Sequence, residues 1–173
     1  MRRGPTFALV VVATTFLPQI SEGRGPAFGL PIDVGAALRK QNTKLTLGVR
    51  PEMMWISEEM IGAGVYVEAL STRMEDVSVG GGATLLIGPI AFSTGPYMRR
   101  SHDKGTEGGL SVSLFLGLQG IWTDLRASPE FLWKTGIRMD GRFGLRENGD
   151  QAVLLVLEID VLVLWFLAQY GAS

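Results

Sequence analysis

Glu158 and Asp160 stand two residues apart inside "VLLVLEIDVLVLW" (153–165), the most apolar stretch of the chain. Two carboxylates so close could divide acid and base roles in catalysis. Their competing partners are Arg138, Arg142 and Arg146 in the preceding segment, which point to an ion-pair network instead. Ser101, His102 and Asp103 are consecutive and have the residue types of a nucleophile, a base and an orienting acid. Consecutive side chains rarely face one another, and this trio lies in the polar run "RRSHDKGTEGG". His102 is the only histidine and there is no cysteine, so multi-histidine and thiolate metal sites are excluded. The glycine run in "GGGATLLIG" (80–88) lacks the Lys-Ser/Thr and the following helix of a phosphate loop. Gly120-Ile121-Trp122 has the Gly-x-Trp spacing of lipocalins, but that motif belongs near a first strand and this one ends the sixth. The reading assigns no catalytic, cofactor-binding or metal-binding residue, and the chain is expected not to be an enzyme.

Geometry decides what holds the two acids. In a helix, positions 158 and 160 lie about 200° apart, and each acid needs its own buried partner. In a strand they share one face, while Val153, Leu155, Leu157, Ile159, Val161, Val163 and Trp165 occupy the other. The same split recurs in 27–38, 61–69, 110–119 and 131–146, and segments 43–55, 75–87 and 90–99 complete eight candidate strands. Turn residues separate them: "RKQN", "SEE", "RMED", "GP", "SHDKGTEGG", "TDLRASP" and "ENGD". Even-numbered, meandering and two-faced, the pattern predicts an all-β, up-and-down antiparallel barrel of about eight strands. Pro31, Pro51 and Pro96 are expected at strand ends or bulges, since proline cannot donate to a ladder. The glycine run is expected to let its strand bend or to make room for bulky interior arginines.

A chain of 173 residues suits one domain, and 23 glycines with 19% charged residues argue against a helical protein. A net charge of −1 implies no nucleic-acid partner. "MRRGPT", the apolar "FALVVVATTFL" and the polar "PQISEGRG" follow the order of a secretory signal peptide. The expected division is therefore a signal peptide over 1–25 and a barrel domain over 26–173.

Periodicity shows two faces without saying which looks inward. The mixed face carries Asp33, Glu52, Glu68, Asp140, Glu158 and Asp160 against Lys44, Arg50, Arg99, Arg138, Arg142 and Arg146. Inside a narrow barrel such groups can pair, with Glu158 and Asp160 expected to reach Arg138 and Arg142. Phe28, Trp55, Phe92, Trp122, Trp133 and Trp165 share the apolar face and fall at strand ends on one rim, as an interfacial girdle would. With the leader and the eight alternating segments, the chain resembles the small outer-membrane β-barrels of double-membraned bacteria, in pattern and topology. That resemblance implies a bacterial outer-membrane location, lipid against the apolar face and both termini on the periplasmic side; because some members of the group are lipid acyltransferases or deacylases that use a His with a Ser, it also makes a lipid acyl hydrolase or acyltransferase on Ser101 and His102 the low-ranked alternative. Any protein partner is expected to bind through the loops. Members of the group end their last strand on an aromatic residue, whereas here "LAQYGAS" follows Trp165 and Phe166. An eight-stranded barrel is filled by its own side chains, so the expected role is structural or interactive rather than that of a general porin. The alternative is a secreted or periplasmic lipocalin-like barrel that holds an apolar ligand among Leu110, Val112, Leu114, Leu155 and Leu157.

Overall fold

The computed structural model describes residues 26–38, 43–57, 61–73, 76–101, 105–117, 135–145 and 151–161, together with Ala168. Ten β segments follow one another: β1 (Pro26–Gly29), β2 (Pro31–Leu38), β3 (Thr43–Val49), β4 (Glu52–Ile56), β5 (Ile61–Thr72), β6 (Asp76–Ile87), β7 (Ile90–Ser101), β8 (Gly105–Gly117), β9 (Gly136–Gly144) and β10 (Gln151–Asp160). They make eight antiparallel strands, because β1 and β2 are halves of the first and β3 and β4 are halves of the second. Each strand pairs with the next, and β10 closes the ring on β2 through Val153↔Leu38 to Asp160↔Pro31. The result is the closed up-and-down barrel that the alternation predicts.

Proline accounts for the interrupted strands. Pro26↔Trp55 and Ile32↔Val49 belong to one continuous register, which sets Leu30 and Pro31 opposite Pro51 and Arg50. The Arg50 N–H still donates to the Pro31 carbonyl at 3.0 Å, and Val67 N–H to the Pro51 carbonyl at 3.0 Å. Both prolines thus occupy strand breaks. Pro96 is different: it lies in the middle of β7, paired with Leu110 of β8. The β6–β7 ladder runs from Asp76↔Ser101 to Gly80↔Tyr97 and resumes at Ala83↔Thr94. The gap falls on Gly81 and Gly82 against Gly95 and Pro96, where proline has no N–H to offer. Here the backbones draw together: a Cβ on Gly95 would overlap the Gly81 carbonyl oxygen, and one on Gly82 the Thr94 carbonyl oxygen. The glycine run therefore serves close strand approach at a proline-broken ladder.

Strand limits also move. The segment expected over 110–119 begins earlier, at Gly105, so glycines assigned to a polar turn belong to β8. The segment expected over 61–69 continues to Thr72. At the tight turn after β6, Gly88 takes the left-handed conformation with φ 56°. Segment 1–25, the expected signal peptide, lies outside the described residues.

The sheet curls so that its mixed face is enclosed. Asp33, Arg50, Glu68, Arg138, Asp140, Glu158 and Asp160 are buried, while Val34, Leu47, Val67, Val79, Val112, Met139 and Leu155 are exposed on the outer wall. Of the charged side chains in the described residues, the exposed ones are Arg73 and Arg100. That is the reverse of the distribution in a water-soluble domain, where ionised groups are rarely buried without partners.

Candidate functional site

Inward positions of eight strands converge on a lumen whose centre is Arg138. Alternation on β9 turns Arg138, Asp140 and Arg142 inward and Ile137, Met139 and Phe143 outward. The Arg138 guanidinium reaches three other strands: Nη2 meets Asp33 Oδ2 of β2 at 2.9 Å and Glu68 Oε2 of β5 at 2.8 Å, and Nη1 meets Glu158 Oε1 of β10 at 2.7 Å. Planar, always charged and rich in donors, a guanidinium suits such a junction better than an ammonium.

Glu68 is the counterpart from the acidic side. Besides Arg138 it pairs with Arg142, and Arg50 Nη1 approaches its Oε2 to 3.9 Å. Arg142 also donates to Asp140 Oδ2 at 3.1 Å and to Ser78 Oγ at 2.7 Å. Arg50 lies 3.8 Å above the centre of the Tyr66 ring, donates to Ser93 Oγ at 2.6 Å, and stands 3.7 Å from Glu52. Arg142 lies 5.1 Å from the Tyr97 ring centre. Such stacking gives a desolvated cation further stabilisation without adding another charge. Arg99 pairs with Asp76 at 2.7 Å.

Apolar layers flank the charges. Ala27, Met54, Leu86, Ala91 and Phe115 pack together towards the rim that carries Pro26 and the 88–89 turn, with Ile56 against them. Ala37, Leu70, Leu154 and Val156 form a second cluster towards the opposite rim. Beside it a small recess lined by Thr72, Ser78, Tyr97, Arg99, Arg142, Ala152 and Leu154 has about 20 Å³ that the centre of a water molecule can occupy. That is room for water rather than for an organic ligand.

All eight residues expected in the lumen network, Asp33, Arg50, Glu68, Arg138, Asp140, Arg142, Glu158 and Asp160, are buried inside the barrel. The expected reach of Glu158 and Asp160 to Arg138 and Arg142 is half corrected. Glu158 pairs with Arg138, but register sets Arg142 opposite Ala152, eight residues from Asp160. That is roughly 26 Å along a strand, so Arg142 turns to Glu68 and Asp140. Sequence reading missed Asp76 and Glu107, both buried, because they border segments read as turns. It also missed Tyr66 and Tyr97, although parity places them with the inward residues.

Of the expected aromatic girdle, Phe28, Trp55 and Phe92 are exposed on the outer wall. Trp55 and Phe92 share one cross-strand row through Ala63 and Leu85. Trp122, Trp133 and Trp165 lie outside the described residues, as do His102 and Asp103; Ser101 ends β7. Of the expected lining of an apolar ligand cavity, Leu110, Val112, Leu155 and Leu157 are exposed on the outer wall and Leu114 is half-buried. Among the described residues, no group of three or more His, Asp or Glu is arranged to hold a metal ion.

The sequence matches no protein-family model and no curated protein.

Proposed function

We propose that the chain is a small outer-membrane β-barrel with a structural or interaction role and a closed, charge-paired lumen, not a general porin. The observation that carries the reading is the inversion of polarity. An apolar wall of Val, Leu, Ile, Met and Phe surrounds the barrel on every strand, and arginines and carboxylates occupy its centre between two apolar layers. Water-soluble monomers rarely expose contiguous apolar patches beyond a few hundred Å². Lipid, by contrast, favours such a wall and requires the closed hydrogen-bonding that β10–β2 pairing provides. Strand lengths agree: β5, β6 and β7 have 12 residues each and β10 has 10, close to the nine to eleven or so that a tilted strand needs to cross the hydrocarbon core. An apolar ligand in the lumen would meet Arg138 and its three carboxylates, which speaks against carriage of such a ligand. The role proposed is not catalytic, and residues 1–25 are proposed as the export signal.

The test is fractionation of the expressed protein, with gel mobility compared before and after boiling. Recovery in the outer membrane with a heat-dependent mobility shift is the expected result. A protein that stays in solution without detergent would overturn the reading and leave a soluble barrel.

A further inference from the structure

We infer that Arg73 and Arg100, on the outer wall at the rim opposite Trp55 and Phe92, bind the phosphate groups of anionic membrane lipids. The inference rests on the proposed membrane location and adds a lipid class and a side of the barrel to it.

The charges of the two surfaces differ in kind. Inside, Arg50, Arg99, Arg138 and Arg142 each lie within ion-pair distance of a carboxylate. Outside, Arg73 and Arg100 are the exposed charged residues among those described, and both are cations. Neither side chain forms an ion pair or a hydrogen bond with a described residue. Their guanidinium donors are therefore open to a ligand, and the complementary ligand is an anion.

Position points to the same ligand. Outward residues of β7 run from Phe92 through Thr94, Pro96 and Met98 to Arg100. Those of β5 run from Ala63 through Val65, Val67 and Ala69 towards Arg73, just past the strand end. Phe92 and Ala63 belong to the cross-strand row that carries Trp55. From that row Arg100 lies eight residues along its strand and Arg73 ten. With ~3.3 Å per residue and a tilt of about 40°, these are rises of roughly 20 and 25 Å, against an apolar band about 25 Å tall. Aromatic rings thus mark one edge of the band and arginines the other. The long arginine stem lets the charged end climb from hydrocarbon to the headgroup level.

Both arginines border hydrocarbon. Register places Arg100 beside the exposed Val77, and exposed Met98 precedes it on the same face. The Arg73 N–H donates to the carbonyl of exposed Leu45 at 2.9 Å. A guanidinium recognises phosphate oxygens two at a time, and the apolar wall beside it suits the attached acyl chains. A lipid phosphate meets both conditions, whereas a free anion meets the first alone.

Native mass spectrometry of the barrel, released from vesicles of equal parts phosphatidylglycerol and phosphatidylcholine, tests this. Phosphatidylglycerol should stay bound in preference by roughly fivefold, the ratio for one arginine near an anionic surface. Arg73→Gln combined with Arg100→Gln should bring the ratio close to one. Equal retention by the wild type, or an undiminished preference in the double variant, overturns the proposal. Inorganic phosphate should displace none of the lipid; displacement would mark a site for the free anion and overturn the lipid assignment. If the double variant fails to fold, added salt takes its place, since salt screens exposed charges. The wild-type preference should then fall, and one that ignores salt overturns the proposal. Insertion into phosphatidylcholine alone, read from the gel-mobility shift, needs neither arginine. A barrel that inserts there but shows no lipid preference refutes this inference and leaves the location standing. A chain that does not insert refutes both.

Discussion

Arg138 and Glu68 bind across the lumen from β9 and β5, at 2.8 Å, and each is the junction of its own sign. Arg138 gathers three carboxylates and Glu68 three guanidinium groups, so the two residues connect most of the interior charge into one network. Breaking a buried pair leaves uncompensated charge and costs far more than the pair itself is worth, whereas its net contribution to stability is small.

Arg138→Ala should therefore destabilise the barrel by about 3–5 kcal/mol, the range for an orphaned buried charge. Arg138→Lys keeps the charge but loses the planar fork, and should fall between alanine and wild type. Denaturant unfolding in detergent or lipid vesicles measures both. An alanine variant within about 1 kcal/mol of wild type, the range of an exposed salt bridge, would show that the network is not a structural junction.

The β6–β7 seam makes a contrast between two glycines. Gly95→Ala puts a methyl group onto the Gly81 carbonyl, and neither backbone can yield without parting the strands. Its cost should exceed the roughly 1–3 kcal/mol of ordinary overpacking, and the folded fraction on an unboiled gel should fall. Gly88→Ala meets nothing within 4 Å and pays only for its positive φ, about 1–2 kcal/mol. Equal effects at the two sites would refute the close-approach account.

Two outward substitutions discriminate the medium outside the wall. Val112 is 49% exposed in the body of β8, and Leu145 is 80% exposed just beyond β9. Against lipid, Val112→Arg should cost about 2–4 kcal/mol and Leu145→Arg about 0–1 kcal/mol, following depth. Against water, both should stay within about 0.5 kcal/mol of wild type. Unfolding measurements on the pair would decide between these outcomes.

Tyr66 offers its ring to Arg50 and its hydroxyl to Ser111, at 3.3 Å. Tyr66→Phe keeps the ring and should cost no more than about 1.5 kcal/mol, the upper end for a neutral hydrogen bond. Tyr66→Leu loses the cation–π contact as well and should cost roughly 2 kcal/mol more, as for a desolvated site. If leucine is tolerated as well as phenylalanine, the stacked ring contributes nothing to holding Arg50.

Much of this architecture could be read along the chain. Alternation over 153–160 excludes a helix and groups Glu158 with Asp160; repeated between turn residues, it makes strands, their number and a meander. Membership of the two faces follows as well, because parity along a strand is a local property. The direction of curl is not local. A period of two is the same seen from either side, and only closure of β10 on β2 decides that the charges lie inside and the hydrocarbon outside. Register is equally beyond a single strand: the connection between β9 and β10 sets Arg142 beside Ala152 and far from Asp160, which composition alone does not reveal. Contacts across the lumen, such as Arg138 with Glu68, depend on the circumference and tilt that eight strands adopt together. The chain by itself determined which residues share a face. The tertiary structure decided which face is enclosed and which charges meet, because curvature and register belong to the whole sheet.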